Sequence, residues 1–140
     1  MNNTQIGNKT ERTISSILRE HKYWVYNCPK SLSGSQPVDL IAINSKRSWL
    51  IDGKHVRINE VSFPLSRIED NQLSTMDYAF GFAGMNKNYM GFAIEFDRTN
   101  EFYWLGYEEV LYMIDNNIKS IHLSKLKLFE EVLNEDNYKQ

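Results

Sequence analysis

Apolar positions fall in short runs divided by polar punctuation, and their spacing alternates between a helical and an extended period. In TERTISSILREHKY, Glu11, Ile14 and Leu18 stand at i, i+3 and i+7 with Ile17 beside them, which predicts an amphipathic helix capped by Asn8 or Thr10. YWVYN is a short strand-like run stopped at Cys28-Pro29, and KSLSGSQ behind it has loop composition. The runs VDLIAI and WLIDGK flank a polar NSKR turn at 44–47 and predict a hairpin. Residues 56–68 show no period and carry Pro64 as a punctuator, after which EDNQLSTMDYAFGFAG predicts a helix over about 69–84. YMGFAIEF and EFYWLGY predict two strands, EEVLYMIDNN a helix, and IHLSKL a short edge strand or extended segment. FEEVLNEDNYKQ predicts a last helical turn and a tail that frays from about residue 130. The order predicts an α/β domain spanning 1–140, with a mixed central sheet, antiparallel hairpins and helices on both sides.

The hairpin holds an anomaly, because each apolar strand carries an acid. With a four-residue loop at 44–47, Ile43 faces Ser48, every opposed pair sums to 91, and Asp39 faces Asp52. Lys54 shares their face, since side chains alternate along a strand. Opposed carboxylates repel unless a positive group lies between them. Three chemistries accommodate the pattern: exposed strand ends with Lys54 as a salt-bridge partner, an acid pair sharing a proton, or a hard-cation site. Only the last employs all three residues, with the lysine meeting a substrate oxyanion or orienting the attacking water.

Composition narrows the classes. Of the residues, 41% are hydrophobic and 24% charged, an ordinary globular balance. No apolar leader or membrane-length run is present, so a cytoplasmic protein with no membrane association is expected. The lone Cys28 lacks the partners for a disulfide or a zinc knuckle with His21, His55 and His122. A net charge of -2 opposes a global positive field, yet residues 1–70 are net +3 and residues 71–140 net -5, so a polyanion is expected to meet the N-terminal half. No dinucleotide fingerprint or Walker loop occurs.

Pro37-Val38-Asp39, twelve intervening residues and Asp52-Gly53-Lys54 together resemble the PD-(D/E)XK nuclease signature. With Gly7, Glu11 on the first helix and Ser33-Gly34 before the first acidic strand, the chain looks like the Holliday-junction resolvases of the archaeal Hjc type; Phe63-Pro64-Leu65 followed by Gln72 is similar to the bacterial RecU type. The resemblance covers about residues 7–110 and implies a restriction-endonuclease-like fold. It implies Asp39 and Asp52 as metal ligands with Glu11 completing or supporting the site, Lys54 as the catalytic lysine, Gln72 as the motif glutamine, and Mg²⁺ or Mn²⁺ as cofactor. On residue chemistry alone, Glu11 also suits a charge near a helix N-terminus, and Gln72 a solvated first-turn position. Asp52 stands where these resolvases usually carry Glu, and the turn at 44–47 leaves no room for the stalk of the RecU type.

Arg12, Lys30, Lys46, Arg47 and Arg57 are candidate DNA contacts, with Lys9 and Arg67 as further phosphate partners. Ser33 suits either a contact to the scissile phosphate or the turn itself. Paired incisions in a two-fold symmetric junction call for a homodimer, and YAFGFAG and FYWLGY are candidate interface segments. The leading expectation is a metal-dependent endonuclease acting on four-way DNA junctions. Its rivals are a restriction- or repair-like endonuclease on duplex or branched DNA, a non-catalytic DNA-binding module on the same fold, and a protein-interaction domain.

Overall fold

The computed structural model describes residues 1–30 and 36–135. Helix α1 (Asn3–Glu20) opens well before the expected Asn8 or Thr10, because Asn2 and Gln5 form a capping box: Asn2 Oδ1 accepts from Gln5 N–H at 2.8 Å and Gln5 Oε1 from Asn2 N–H at 2.9 Å. Its first turns are solvent-exposed and its buried residues begin only at Thr10, so hydrophobic spacing carries no mark of the true start.

Strands β1 (Trp24–Asn27), β2 (Leu40–Ile43) and β3 (Ser48–Val56) form an antiparallel meander. Ser62–Pro64 is a short β4, where no element was expected, and α2 follows over Asp70–Gly81 from a Glu69 N-cap. Then come β5 (Met90–Phe96), β6 (Glu101–Gly106), α3 (Tyr107–Asp115), β7 (Ser120–His122), β8 (Lys127–Leu128) and α4 (Phe129–Asn134). The main sheet has six strands in the order β1-β2-β3-β5-β6-β8; β3 and β5 run parallel and every other pairing is antiparallel. β4 pairs with β7 in a separate two-stranded sheet, where Pro64, at the end of β4, is tolerated.

Around β3 and β5 the sheet is covered on both faces. Trp49 and Ile51 of β3 pack with Ile14 and Leu18 of α1 and with Phe129 and Val132 of α4. On the other face Val56, Phe92 and Ile94 pack with Met76 of α2, Val110 and Met113 of α3 and Phe63 of β4. β5 lies between these layers, and all seven of its residues are buried, as a strand covered on both faces requires. The tail expected to fray from about 130 is instead the helix α4 as far as Asn134, held by the burial of Phe129, Val132 and Leu133. Residues 136–140 lie outside the described residues. Among the described residues no helix is long and apolar enough to cross a membrane.

Candidate active site

The NSKR turn produces the expected register: Ile43 faces Ser48, Ala42 faces Trp49, Ile41 faces Leu50 and Leu40 faces Ile51. Asp39 is the next position, in a bend just before β2, and its side chain interacts with that of Asp52, which the same register would set opposite it. Its Oδ2 accepts the Gly53 N–H at 2.8 Å, which clamps the acidic end of β2 to β3. Both acids are buried, Asp52 to 2% exposure. Burial first, and then the neighbouring Asp39 charge, push the Asp52 carboxyl up to about 7 against the opposing pull of Lys54. Exposed strand ends are thereby set aside: this is a desolvated carboxylate pair.

Lys54 emerges on the same face. Its Nζ lies 3.2 Å from Asp52 Oδ2 and donates to Gln72 Oε1 at 3.1 Å. Gln72 is only 8% exposed, and its Oε1 also accepts the Glu69 N–H at 3.0 Å in the capping box that opens α2. One side-chain oxygen therefore starts a helix and fixes an ammonium beside a carboxylate, so Gln72 is not a solvated first-turn residue. Gln72→Ala is expected to cost about 1 kcal/mol of stability through the lost cap. If Lys54 works in the site, the same variant should lower turnover, and Gln72→Glu, which keeps an acceptor for both donors, should recover most of both; thermal melts and turnover measurements on the two variants check this.

Glu11 approaches from α1. The helix begins at Asn3, so Glu11 sits in its interior rather than near its positive end. Lys30 donates to Glu11 Oε2 at 2.6 Å and lies 3.8 Å from Asp39 Oδ1. Burial raises the Glu11 carboxyl above its usual range, Lys30 opposes the rise and Asp39 adds to it. The carboxylates thus form two overlapping pairs, Glu11 with Asp39 and Asp39 with Asp52. Among the described residues no three His, Cys, Asp or Glu side chains gather closely enough to cage an ion by themselves. The donor set nonetheless fits a hard cation: Asp39 and Asp52 offer oxygen ligands in a desolvated setting, and the three carboxylates outnumber Lys30 and Lys54. Mg²⁺ commonly takes one or two carboxylates and keeps several waters, so a complete protein cage is not needed.

A cavity of about 510 Å³ adjoins Lys54, lined among others by Thr10, Gly53, His55, Arg57 and Arg67. Arg57 donates to Asn3 Oδ1 at 2.8 Å and Arg67 to the His55 carbonyl, so two of the basic candidates stand at this opening. A larger cavity of about 730 Å³ between α3 and β7 contains none of the predicted site residues; the smaller one is lined by Lys54 and Arg57, with Glu11, Asp39 and Asp52 outside its lining. Arg12 is exposed on α1 beside Glu11, and Lys46 is exposed on the β2–β3 turn, at the far end of the hairpin from the acids. Arg47, on that same turn, is held by α4: it donates to the carbonyls of Leu133 at 3.4 Å and Glu135 at 2.6 Å and lies over the Tyr89 ring. Arg47→Ala should therefore destabilise the chain by about 1–3 kcal/mol in a denaturant melt while leaving DNA affinity unchanged. Ser33 and Gly34 lie outside the described residues.

Glu95 is a supporting residue that no motif marks. Buried near the C-terminal end of β5, it accepts the Thr10 hydroxyl at 2.9 Å and ties α1 to the sheet one residue before Glu11. A single acid inside the run MGFAIEF is the only signal of it in the sequence.

No family model matches the chain, and no curated protein matches it. Among solved structures, Archaeoglobus fulgidus Hjc, a Holliday junction resolvase from an archaeal hyperthermophile, aligns with a TM-score of 0.65 at 16% identity, over 91% of this chain and 99% of that one. The fold matches that of Hjc. The mixed central sheet with flanking helices is thus shared with that structure, by a sequence that has little in common with it.

Proposed function

We propose that the chain is a metal-dependent, structure-selective DNA endonuclease of the PD-(D/E)XK type that resolves four-way junctions by paired phosphodiester hydrolysis. The observation that carries this reading is the buried Asp39–Asp52 pair with Lys54 fixed beside it by Gln72, on an Hjc-like fold. Asp39 and Asp52 would hold Mg²⁺ or Mn²⁺, with Glu11 supporting them from α1. Bound there, the ion supplies a water of lowered pKa and neutralises charge developing on the phosphate. Lys54 aims its ammonium at that charge, and Gln72 keeps it aimed. Arg57 and Arg67 at the adjoining opening, with Arg12 and Lys30, provide phosphate contacts. The short 44–47 turn suits a compact grip on the junction, without the stalk of the RecU type.

Junction resolution calls for two such sites related by a dyad. Of the two aromatic segments considered for the interface, FYWLGY is core, with Tyr103, Trp104 and Leu105 buried. YAFGFAG remains the candidate: Tyr78 and Phe82 stack at 4.9 Å on the surface of α2, with Phe80 exposed nearby. Purified protein is to be incubated with a four-way junction and a matched linear duplex in Mg²⁺, Mn²⁺ or EDTA. Symmetric, metal-dependent nicks confined to the junction are expected. Equal cutting of the duplex would assign a restriction- or repair-like endonuclease instead, and binding without cutting in either metal a non-catalytic module.

A further inference from the structure

A second aromatic surface lies on the same face of the sheet as the carboxylates. Along β1, Val25 turns into the core beneath α1, so Trp24 and Tyr26 turn the other way; they are 62% and 45% exposed. Their rings lie nearly parallel, 6.1 Å between centroids and 11° between planes. Trp24 pairs across the sheet with Ile43, itself exposed, and Tyr26 with Ile41. The Cys28 N–H, next in this series, donates to the Asp39 carbonyl at 2.9 Å, so the rows Trp24, Tyr26 and Cys28 lead along the strand to the acidic pair. At about 3.4 Å per residue, Tyr26 stands roughly 7 Å and Trp24 roughly 14 Å from the Asp39 row.

Charge frames this surface. Lys22 precedes Trp24 on the chain, Lys46 sits on the turn next to the Ile43 row, and Lys30 lies beside Asp39; all three are exposed. Strands β1 and β2 themselves carry no acidic residue, Asp39 standing just before β2. Exposed aromatic rings at alternate positions of an open sheet face, with cations at their margins, suit flat bases joined to a phosphate backbone. The α2 aromatics, by contrast, belong to another element and have no such line to the acids.

We propose that Trp24 and Tyr26 form a stacking platform for unpaired nucleotides of the DNA substrate, leading a single strand along β1 toward Asp39 and Asp52. The proposal rests on the nuclease reading above and deepens it: the platform takes the bases that unstack and open at the branch point beside the cleavage point. Duplex offers no free base faces to this platform, so selectivity for branched DNA acquires a physical cause.

Trp24 also makes the test direct, since Trp49 and Trp104, the other two tryptophans, are buried. A labelled short oligothymidylate and a blunt duplex of equal length are titrated into the full chain in EDTA, with anisotropy reporting binding and tryptophan emission reporting stacking. The oligothymidylate should quench the emission and shield it from iodide, whereas the duplex should bind with little quenching. Trp24→Ala and Tyr26→Ala should each weaken oligothymidylate binding by about fivefold or more, Trp24→Phe should restore most of the affinity, and duplex affinity should hold in all three. Saturated binding with unchanged emission, or equal quenching by duplex, overturns the platform and leaves the nuclease reading intact. A shift from dimer to monomer in sedimentation of Trp24→Ala also overturns it and assigns the surface to a second copy of the chain. Absence of binding to either DNA overturns both readings.

Discussion

Replacing Asp52 by Asn should reduce cleavage of a four-way junction by at least about 100-fold while leaving junction binding in EDTA unchanged or tighter. The expectation follows from geometry. Asp52 is buried 3.2 Å from the Lys54 ammonium and carries one of the two neighbouring charges at the acidic end of the hairpin. Asparagine preserves its shape, so the strand pairing and the Lys54–Gln72 bond remain. What it removes is a negative oxygen donor, and with it the means to hold a hard cation against Asp39. It also removes negative charge from a surface meant to approach phosphate, which cannot weaken DNA binding electrostatically.

The fold should tolerate this change. Asp52 is ionised at a cost, shown by the rise of its carboxyl to about 7, so the neutral amide relieves repulsion within the acid pair. Circular dichroism melts should place Asp52→Asn at or above the parent, which separates lost chemistry from lost structure. Gel retardation and cleavage on the same preparation complete the measurement. An Asp52→Asn protein that still cuts would sink the site assignment, and one that no longer binds DNA would show that Asp52 serves another purpose.

The hairpin is legible in the sequence because a short turn fixes register locally. Residues 44–47 set Ile43 against Ser48, and everything as far as the acids follows by counting. Helices α2 and α3 and strands β5 and β6 are readable for a related reason, since each carries its own period. What stays hidden depends on contacts distant in sequence. The parallel pairing of β3 with β5 joins segments separated by a whole helix, and it leaves no trace in either run. The start of α1 is determined by a polar capping box, where hydrophobic spacing is silent. β4 exists because β7 pairs with it, and Pro64, taken in isolation, argues against it. In the site itself, the residue types of Asp39, Asp52, Lys54 and Gln72 are visible, but not the bond by which Gln72 both opens α2 and holds Lys54. Arg47 and Lys46 are neighbours in sequence with the same charge, and only the position of α4 distinguishes the bound one from the one on the open turn.

Gly91→Ala is expected to be the most destabilising single-methyl change in the sheet. Gly91 sits in β5 directly opposite Gly106 of β6, and a Cβ there would meet the Leu105 carbonyl oxygen at 2.5 Å, Gly106 Cα at 2.9 Å and Trp104 Cζ2 at 2.9 Å. Two of these are backbone atoms of the paired strand, so no rotamer change relieves the contact and the strands themselves must part. Overpacking of this kind costs about 3 kcal/mol or more, a large share of the roughly 5–15 kcal/mol that holds a domain together, and should lower Tm by about 10 °C. The displacement would not stay local. Gly91 pairs with Ile51 of β3, and the next pair in register is Phe92 with Asp52, so movement of β5 is passed to a site carboxylate. Residual folded protein should therefore cut junctions less well at temperatures far below its melt. Gly7→Ala supplies the contrast, because nothing lies within 4 Å of a Cβ at that exposed helical position. Alanine there should stabilise by about 0.5–1 kcal/mol through helix propensity alone. Parallel melts of the two variants decide the matter: equal stabilities would mean that β5 and β6 do not approach as closely at Gly91 as the register requires.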